Sequence, residues 1–442
     1  MIKKDMGTGK ISSLMASMII PPMISMFIQS LYNIVDSIFI AKFSQDALTA
    51  VSLVFPIQNI ILSLAVGAGI GLNSYIARKL GSEDRYSAEE ACSVGMVLGV
   101  LHYIVLSIAG LIILKPFLGL FTNSQEITYQ GVIYGRIILI FSFGQILHIL
   151  LEKIYQAYGN MVVPMIVQAI GCIINIILDP ILIFGVFGLK PMGIAGAAIA
   201  TIIGQISSFL ICAVILINGR TGIKFRKYRD KSHFMEVGKQ IYQVAVPSTI
   251  VMAFPSVLIA CINGIIAPFS AFAVSAFGIY YKVQTFIYMP TGGLVQGIRP
   301  IIGFNYGAGN VKRQKDTVKL SLIIVGLIMA LGTIACLGFS DKILSIFDSS
   351  GEMAAIGVPL LMIISLGFIP SSFSVVLSGF FEGRGNGFNS LIVTSLRMLV
   401  ILLPLTFIFS KIWGLTGVWT AFPIAEAITA LVAMILYKRT FK

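Results

Sequence analysis

Residues 161–187 read MVVPMIVQAIGCIINIILDPILIFGVF, a run in which Asp179 is the sole charge. About 20 apolar residues in a helix cross roughly 30 Å of hydrocarbon, so this stretch reads as a membrane span with an acid inside it. Working outward in both directions gives twelve such spans, near 11–40, 47–76, 91–114, 128–151, 161–187, 193–218, 241–267, 271–298, 317–340, 354–380, 388–410 and 413–437. The composition agrees: 57% of the 442 residues are hydrophobic and 11% charged, where soluble domains carry about 25% charge. A water-soluble enzyme is excluded. No HExxH or GxxxxGK[ST] motif occurs, which argues against an intramembrane protease or an ATP-driven pump, and no enzymatic activity is expected.

Basic residues orient the chain. Of 31 Lys and Arg, 23 fall in the segments on the side of the N-terminus and five (Lys42, Lys115, Lys190, Lys342, Lys411) in the opposite loops. The positive-inside rule then puts both termini in the cytoplasm of a multi-pass protein of the cell (plasma or inner) membrane, and the net charge of +13 requires no nucleic-acid partner. The start, MIKKDMGTGK, runs into an apolar stretch too long for a signal core and reads as leading into a retained first span. Cys92, Cys172, Cys212, Cys261 and Cys336 show no metal or redox spacing and read as small apolar side chains.

The longest polar connection, 219–240, contains RTGIKFRKYRDKSH and sits almost midway. It reads as a basic linker near anionic headgroups, between an N-terminal bundle (1–218) and a C-terminal bundle (241–442). Sliding one half onto the other at an offset near 226 superposes Leu80-Gly81-Ser82-Glu83-Asp84 on Tyr306-Gly307-Ala308-Gly309-Asn310. It also superposes Tyr155-Gln156-Ala157-Tyr158-Gly159-Asn160 on Phe381-Glu382-Gly383-Arg384-Gly385-Asn386. Pro22 pairs with Pro247, Pro180 with Pro404, and Gly193/Gly196 with Gly414/Gly417. Six spans per half make the repeats parallel. The expected fold is therefore an all-α membrane protein of twelve transmembrane helices, in two pseudo-symmetric six-helix bundles around a central cleft, which is a transporter architecture.

Charges at the bilayer centre cost about 2.5–3.5 kcal/mol on insertion scales, so each asks for a role. Asn175 and Asp179, four apart, share a helix face. At about 1.5 Å per residue, Asp36, Asp179, Thr201 and Arg136 all lie roughly 10–12 Å from the outer end, which predicts one shared site. Their repeat counterparts are apolar: Asn175, Asp179 and Thr201 map to Leu399, Leu403 and Phe422, and Asp36 to Ile262. Packing needs would apply to both halves, so the asymmetry favours function. Two carboxylates in a poorly hydrated pocket cannot both carry charge cheaply, so the pair can load and release a proton; the same oxygens can equally hold Na+. A second group, Lys282, Arg397 and Glu426, is expected near mid-membrane, either as a salt-bridge network or as cleft charges with Lys282 facing Glu426. His102 and His148 are candidates for a proton relay or for plain packing.

Pro21 and Pro22 inside span 1 mark a hinge, and the small residues at 67–71 mark close helix packing. Taken with Pro22 and Asp36, the turns at Lys79-Leu80-Gly81 and Asn305-Tyr306-Gly307-Ala308-Gly309-Asn310, and Ala157-Tyr158-Gly159-Asn160, the sequence resembles the multidrug and toxic compound extrusion (MATE) family, in its MepA-like branch. Asn175-Ile-Ile-Leu-Asp179-Pro180 followed by Gly193-Ile-Ala-Gly196-Ala-Ala and Thr201 carries the resemblance most specifically. The resemblance implies two six-helix bundles in a V, a monomer exporting small organic cations in exchange for H+ or Na+ without a cofactor, and a cation site at Asp36, Asn175, Asp179 and Thr201. The sodium-coupled branch resembling NorM carries acids in spans 7 and 10, whereas 241–267 and 354–380 here contain neither Asp nor Glu. The alternative is a flippase for a lipid-linked or anionic substrate, which needs Arg136, Lys282 and Arg397 to converge on a cationic cleft.

Overall fold

The computed structural model describes residues 6–219, 222–346 and 353–441; Lys3, Lys4, Arg220 and Lys442, which enter the charge count, lie outside them. Among the described residues the chain is helical throughout, without strands. The first half holds α1 (Ile11–Phe43), α2 (Gln45–Gly81), α3 (Arg85–Gly119), α4 (Gln125–Phe141), α5 (Phe143–Ala157), α6 (Val162–Phe184) and α7 (Ile194–Ile217). The second holds α8 (Lys231–Ile266), α9 (Ala271–Gly307), α10 (Val311–Ser345), α11 (Ala354–Ser365), α12 (Phe368–Gly383), α13 (Gly387–Ser395), a π-helical turn (Leu396–Val400) and α14 (Leu402–Arg439).

Among the described residues, eight helices are long and apolar enough to cross a membrane, and two bent pairs raise the number to ten; the twelve expected from the sequence require α9 and a division of the last stretch as well. The pair α4/α5 bends by 45° and α11/α12 by 52°, each making one broken span. The 53-residue stretch Gly387–Arg439 would be about 80 Å long if straight, more than two hydrocarbon thicknesses. It breaks at Gly414, whose φ of 60° and ψ of −140° only glycine adopts readily. Gly193, its counterpart in the repeat, has φ 55° and ψ −131° at the start of α7.

The repeat is therefore written into the backbone. Ser44 and Ser270 cap α2 and α9, Asp84 and Asn310 cap α3 and α10, each cap contributing about 1 kcal/mol. Glu83 stands at φ 62° where the second half has Gly309 at φ 68°. A non-glycine residue in this region costs about 1–2 kcal/mol, partly offset by the entropy glycine loses on folding. Glu83→Gly should raise stability by about 0.5 kcal/mol, read as a higher unfolding temperature in detergent; an unchanged or lower temperature contradicts this.

Two apolar cores form, and they interlock across the proposed boundary at 219–240. Leu14, Met15, Met18 and Ile19 of α1 belong to the second core, while Val237, Ile241 and Ala245 of α8 belong to the first. Both exchanges occur at the end of the molecule that carries the two termini, called the inner end after the orientation expected from the basic residues. There Gly67 and Gly71 of α2 face Ala245 and Ile241 of α8, and their repeat counterparts Gly293 and Gly297 of α9 face Met23 and Met18 of α1. At the helix ends Gly81 lies on the Phe304 carbonyl and Gly307 on the Arg78 carbonyl. Such reciprocal contacts are what a two-fold relation between the halves requires. The 67–71 run is thus a seal between the halves.

Helix α1 passes through Pro21 and Pro22 without leaving helical geometry. Pro22 has no N–H for the Met18 carbonyl, and it is that carbonyl which Gly297 approaches. In the second half Pro247 frees the Gln243 carbonyl, which Gly387 approaches. The proline positions therefore expose backbone oxygens where a helix of the other half, or of the same bundle, comes closest.

Candidate functional site

Helix α6 brings Asn175 and Asp179 to one face, one turn apart, and both are buried, at 2% and 0% exposure. Thr201 of the neighbouring α7 is buried against them. The Asn175 amide donates from Nδ2 to Asp179 Oδ2 at 3.2 Å and accepts on Oδ1 from the Thr201 N–H at 3.1 Å. Helix α1 packs along α6 and brings the half-buried Asp36 into side-chain hydrogen-bonding contact with Asp179. Two carboxyls in that contact need a proton, or a cation, between their oxygens. Asp36 Oδ1 is buried and has no hydrogen-bond donor among the described residues, as expected of an oxygen awaiting a proton or a cation.

Three further side chains complete the surroundings. Tyr134 of α4 is buried at 2%, and its hydroxyl accepts from Gln58 Nε2 at 3.2 Å while facing Thr201. Tyr32 stands one turn before Asp36 on α1, within electrostatic reach of both aspartates. The helical spacing of Tyr32 from Asp36 was the signal available in the sequence for it; Tyr134 and Gln58 left none.

Arg136 does not join this group. It sits on the exposed face of α4, and among the described residues it makes no ion pair. The reason is helical: residues two apart point to nearly opposite sides, so the turn that turns Tyr134 inward turns Arg136 out. The counterpart position in the second half is apolar, with Ile262 at 0% and Phe422 at 6% exposure. Phe422 packs there with Phe277 and Tyr280 at ring separations of 6.1 Å.

In the second group Glu426 pairs with Arg397, Nε to Oε1 at 2.6 Å, as the salt-bridge expectation has it, while Lys282 lies on an exposed part of α9. Ser374 Oγ donates to Glu426 Oε2 at 3.4 Å, and the Arg397 guanidinium lies over the Tyr288 ring, 5.2 Å from its centroid. Arg397 is thus neutralised by Glu426, which takes one of the three cations of the flippase reading out of play.

At the inner end, Lys153 lies buried, although hydropathy places it in a connection. Its ammonium donates to Glu152 Oε1 at 2.8 Å, Gln156 Oε1 at 3.1 Å and, across the halves, Gln296 Oε1 at 3.0 Å. In the second half Arg299 pairs with Glu382 at 2.6 Å. His148 is buried beside the Lys153 group, and His102 meets the Tyr242 hydroxyl of α8 at 2.5 Å. Of the cysteines, Cys261 is exposed and the other four are buried; all are unpaired.

A family model described as MatE matches residues 21–181 and 247–408, two segments that begin at the offset of the internal repeat. The chain belongs to the MatE family. The "Multidrug export protein MepA" of Staphylococcus aureus (strain MSSA476) is 27% identical over 429 residues, covering 94% of this chain and 91% of that protein. Its namesake in Staphylococcus haemolyticus (strain JCSC1435) is 24% identical over 419 residues, with the same coverage. Among solved structures, one described as MATE in the bent conformation superposes with a TM-score of 0.91 at 25% identity, over 98% of this chain and 96% of that one. Another, described as the outward-facing conformation of a multidrug resistance MATE family transporter, gives 0.89 at 24% identity with the same coverage. The MatE fold and the MepA-like branch expected from the turns are thus those found.

Proposed function

We propose that this MatE protein is a secondary antiporter of the cell membrane. It exports lipophilic organic cations in exchange for H+ or Na+ by alternating access, works as a monomer and has both termini in the cytoplasm. The observation that carries the reading is the contact of Asp36 with Asp179, across two helices and beside Asn175 and Thr201. It is a built place for one small cation, present in one half only. The names of the staphylococcal relatives support export of drugs as the activity.

Helix α1 links this site to the cleft. Its outer part carries Asp36 into the first half, while its inner part is clamped in the second core. Arg313 of α10 also donates to the Met6 and Gly9 carbonyls at 3.1 and 2.8 Å, just before α1 begins. Removing the cation leaves two like charges facing each other, which pushes α1 from α6. Because α1 is held by the other half, that movement bears on the seal at the inner end and so on which side the cleft opens.

Purified protein in liposomes, given an outward-directed drug load under a proton gradient alone or a sodium gradient alone, tests this. Efflux driven by at least one of the two supports the antiporter; efflux indifferent to both rejects it.

A further inference from the structure

At the inner joint between the halves, one arginine from each half comes up to the same tyrosine. The guanidinium of Arg78, near the end of α2, lies against Gly385 of the other half, so close that an added Cβ would stand 2.5 Å from it. Next to Gly385, in the turn between α12 and α13, Arg384 lays its guanidinium over the Tyr306 ring, 4.4 Å from the centroid. Tyr306 stands at the end of α9, is 40% exposed and is within electrostatic reach of both arginines. Their donors are only partly used: Arg78 Nε donates to the Ser74 carbonyl at 3.2 Å, and Arg384 Nη1 to Gln314 Oε1 at 3.3 Å. Among the described residues, Arg78 Nη2 is buried with no hydrogen-bond partner, and neither arginine forms an ion pair.

Two half-buried cations without a counter-ion are unfavourable, and an orphaned buried N–H adds to the cost. The duplication does not require them. At the offset of 226, Arg78 corresponds to Phe304, Arg384 to Tyr158 and Tyr306 to Leu80. Gly159, which corresponds to Gly385 and shares its positive φ (81° against 83°), meets the Met6 side chain near the start of the chain instead. The turn is thus repeated, while the arginines are confined to one edge of the joint. All three residues stand just beyond the inner ends of the expected spans that finish at 76, 298 and 380, which is the level of lipid headgroups. A phosphate is the anion that fits there, because its oxygens accept several N–H groups at once in the two-pronged geometry of a guanidinium. Basic pockets between helices on the cytoplasmic side hold anionic headgroups in this way.

We propose that Arg78, Arg384 and Tyr306 form a site for the phosphate of an anionic phospholipid of the inner leaflet, and that the bound headgroup clasps the two halves together at that end. Arg78 belongs to the first half and Arg384 to the second, so a phosphate is shared between them only while the inner ends touch. Lipid binding therefore favours the sealed state by mass action. The proposal stands apart from the export reading, since headgroup binding needs neither a drug nor a gradient.

Native mass spectrometry of the full-length protein, released from phosphatidylcholine vesicles with a graded share of phosphatidylglycerol, counts the lipids retained per folded molecule. The wild type should hold its tightest phosphatidylglycerol at least about tenfold more firmly than phosphatidylcholine. Arg78→Gln and Arg384→Gln should each erase that preference, and Lys227→Gln, which removes an exposed charge of the linker, should leave it unchanged. Since only folded molecules are counted, a loss of yield in a variant does not imitate a loss of lipid. Inorganic phosphate at a matched concentration should not displace the lipid; displacement would make the ligand free phosphate and overturn the lipid assignment. For the clasp, the thiol of Ala77→Cys, at a position buried in the same joint, is labelled in a protein whose exposed Cys261 has been replaced. It should react at least about threefold more slowly in phosphatidylglycerol than in phosphatidylcholine. No lipid preference in the wild type, a preference that survives either arginine substitution or falls equally in Lys227→Gln, or labelling indifferent to the lipid overturns the proposal. Efflux indifferent to both gradients, with the lipid preference intact, would reject the antiporter and leave this site standing.

Discussion

Asp179→Asn and Asp36→Asn are each expected to lower gradient-driven drug efflux by about 10- to 100-fold at equal expression. This is the range of a coupling free energy of roughly 1–3 kcal/mol. Asparagine keeps the size of the side chain and its hydrogen bond to Asn175 or its neighbours, but it carries no charge and cannot share a proton or a cation with the remaining carboxyl. Binding of drug in the absence of a gradient should survive, since a cavity between α8, α9 and α14 of the second half lies apart from these residues. Both variants should also flatten the dependence of efflux on external pH, or on external sodium if that is the coupling ion. Wild-type rates with an unchanged response to the gradient would mean that the pocket between α1, α6 and α7 is structural.

Gly71→Leu and Gly297→Leu are expected to have the second-largest effect, on the seal. At these positions an added side-chain carbon overlaps the carbonyl oxygens of Ile241 and Met18, which are backbone atoms and cannot rotate aside. The strain can be relieved only by parting the halves at the inner end. Overpacking of this kind costs about 1–3 kcal/mol, so the equilibrium should move about 5- to 150-fold toward separated inner ends. Ala77, fully buried beside Gly303 of the other half, offers a reporter. In a protein whose exposed Cys261 has been replaced, the thiol of Ala77→Cys should become reactive from the inner side in both glycine variants. Gly326→Leu, where the space around the Cα is open, should leave its labelling rate unchanged. Equal labelling in all three would show that the glycines are not what closes that end.

Much of this was legible in the sequence because the two halves share their turns. Turn chemistry is local: the residue that must stand at positive φ, or cap a helix, is read from a few neighbours, so Gly309, Gly414 and Asn310 disclose the repeat without knowledge of packing. The aspartates were legible for the opposite reason, as charges where hydrocarbon forbids them unless something holds them. Counting residues along a helix fixes depth but not direction around the axis. Arg136 was therefore placed level with Asp36, when the side of α4 facing inward belongs to Tyr134. Depth likewise could not choose between Lys282 and Arg397 as the partner of Glu426; the packing of α14 on the π turn decided it. Lys153 escaped because hydropathy ends the span near 151, whereas the helix continues to Ala157 and buries the ammonium against Gln296 of the other half. The small-residue run at 67–71 announced close packing, but only the fold names α8 as what it packs on.

The central claim, that Asp36 and Asp179 act as one cation-holding unit, is tested most directly by a double-mutant cycle on gradient-driven efflux. Rates are measured in liposomes for wild type, Asp36→Asn, Asp179→Asn and the double variant, each normalised to the amount of folded protein. If the two carboxyls hold one cation between them, removing the second costs nothing once the first is gone, and the double variant matches the slower single one. If instead the losses multiply, to about 10²- to 10⁴-fold in the double variant, the two groups work independently and the shared site does not exist.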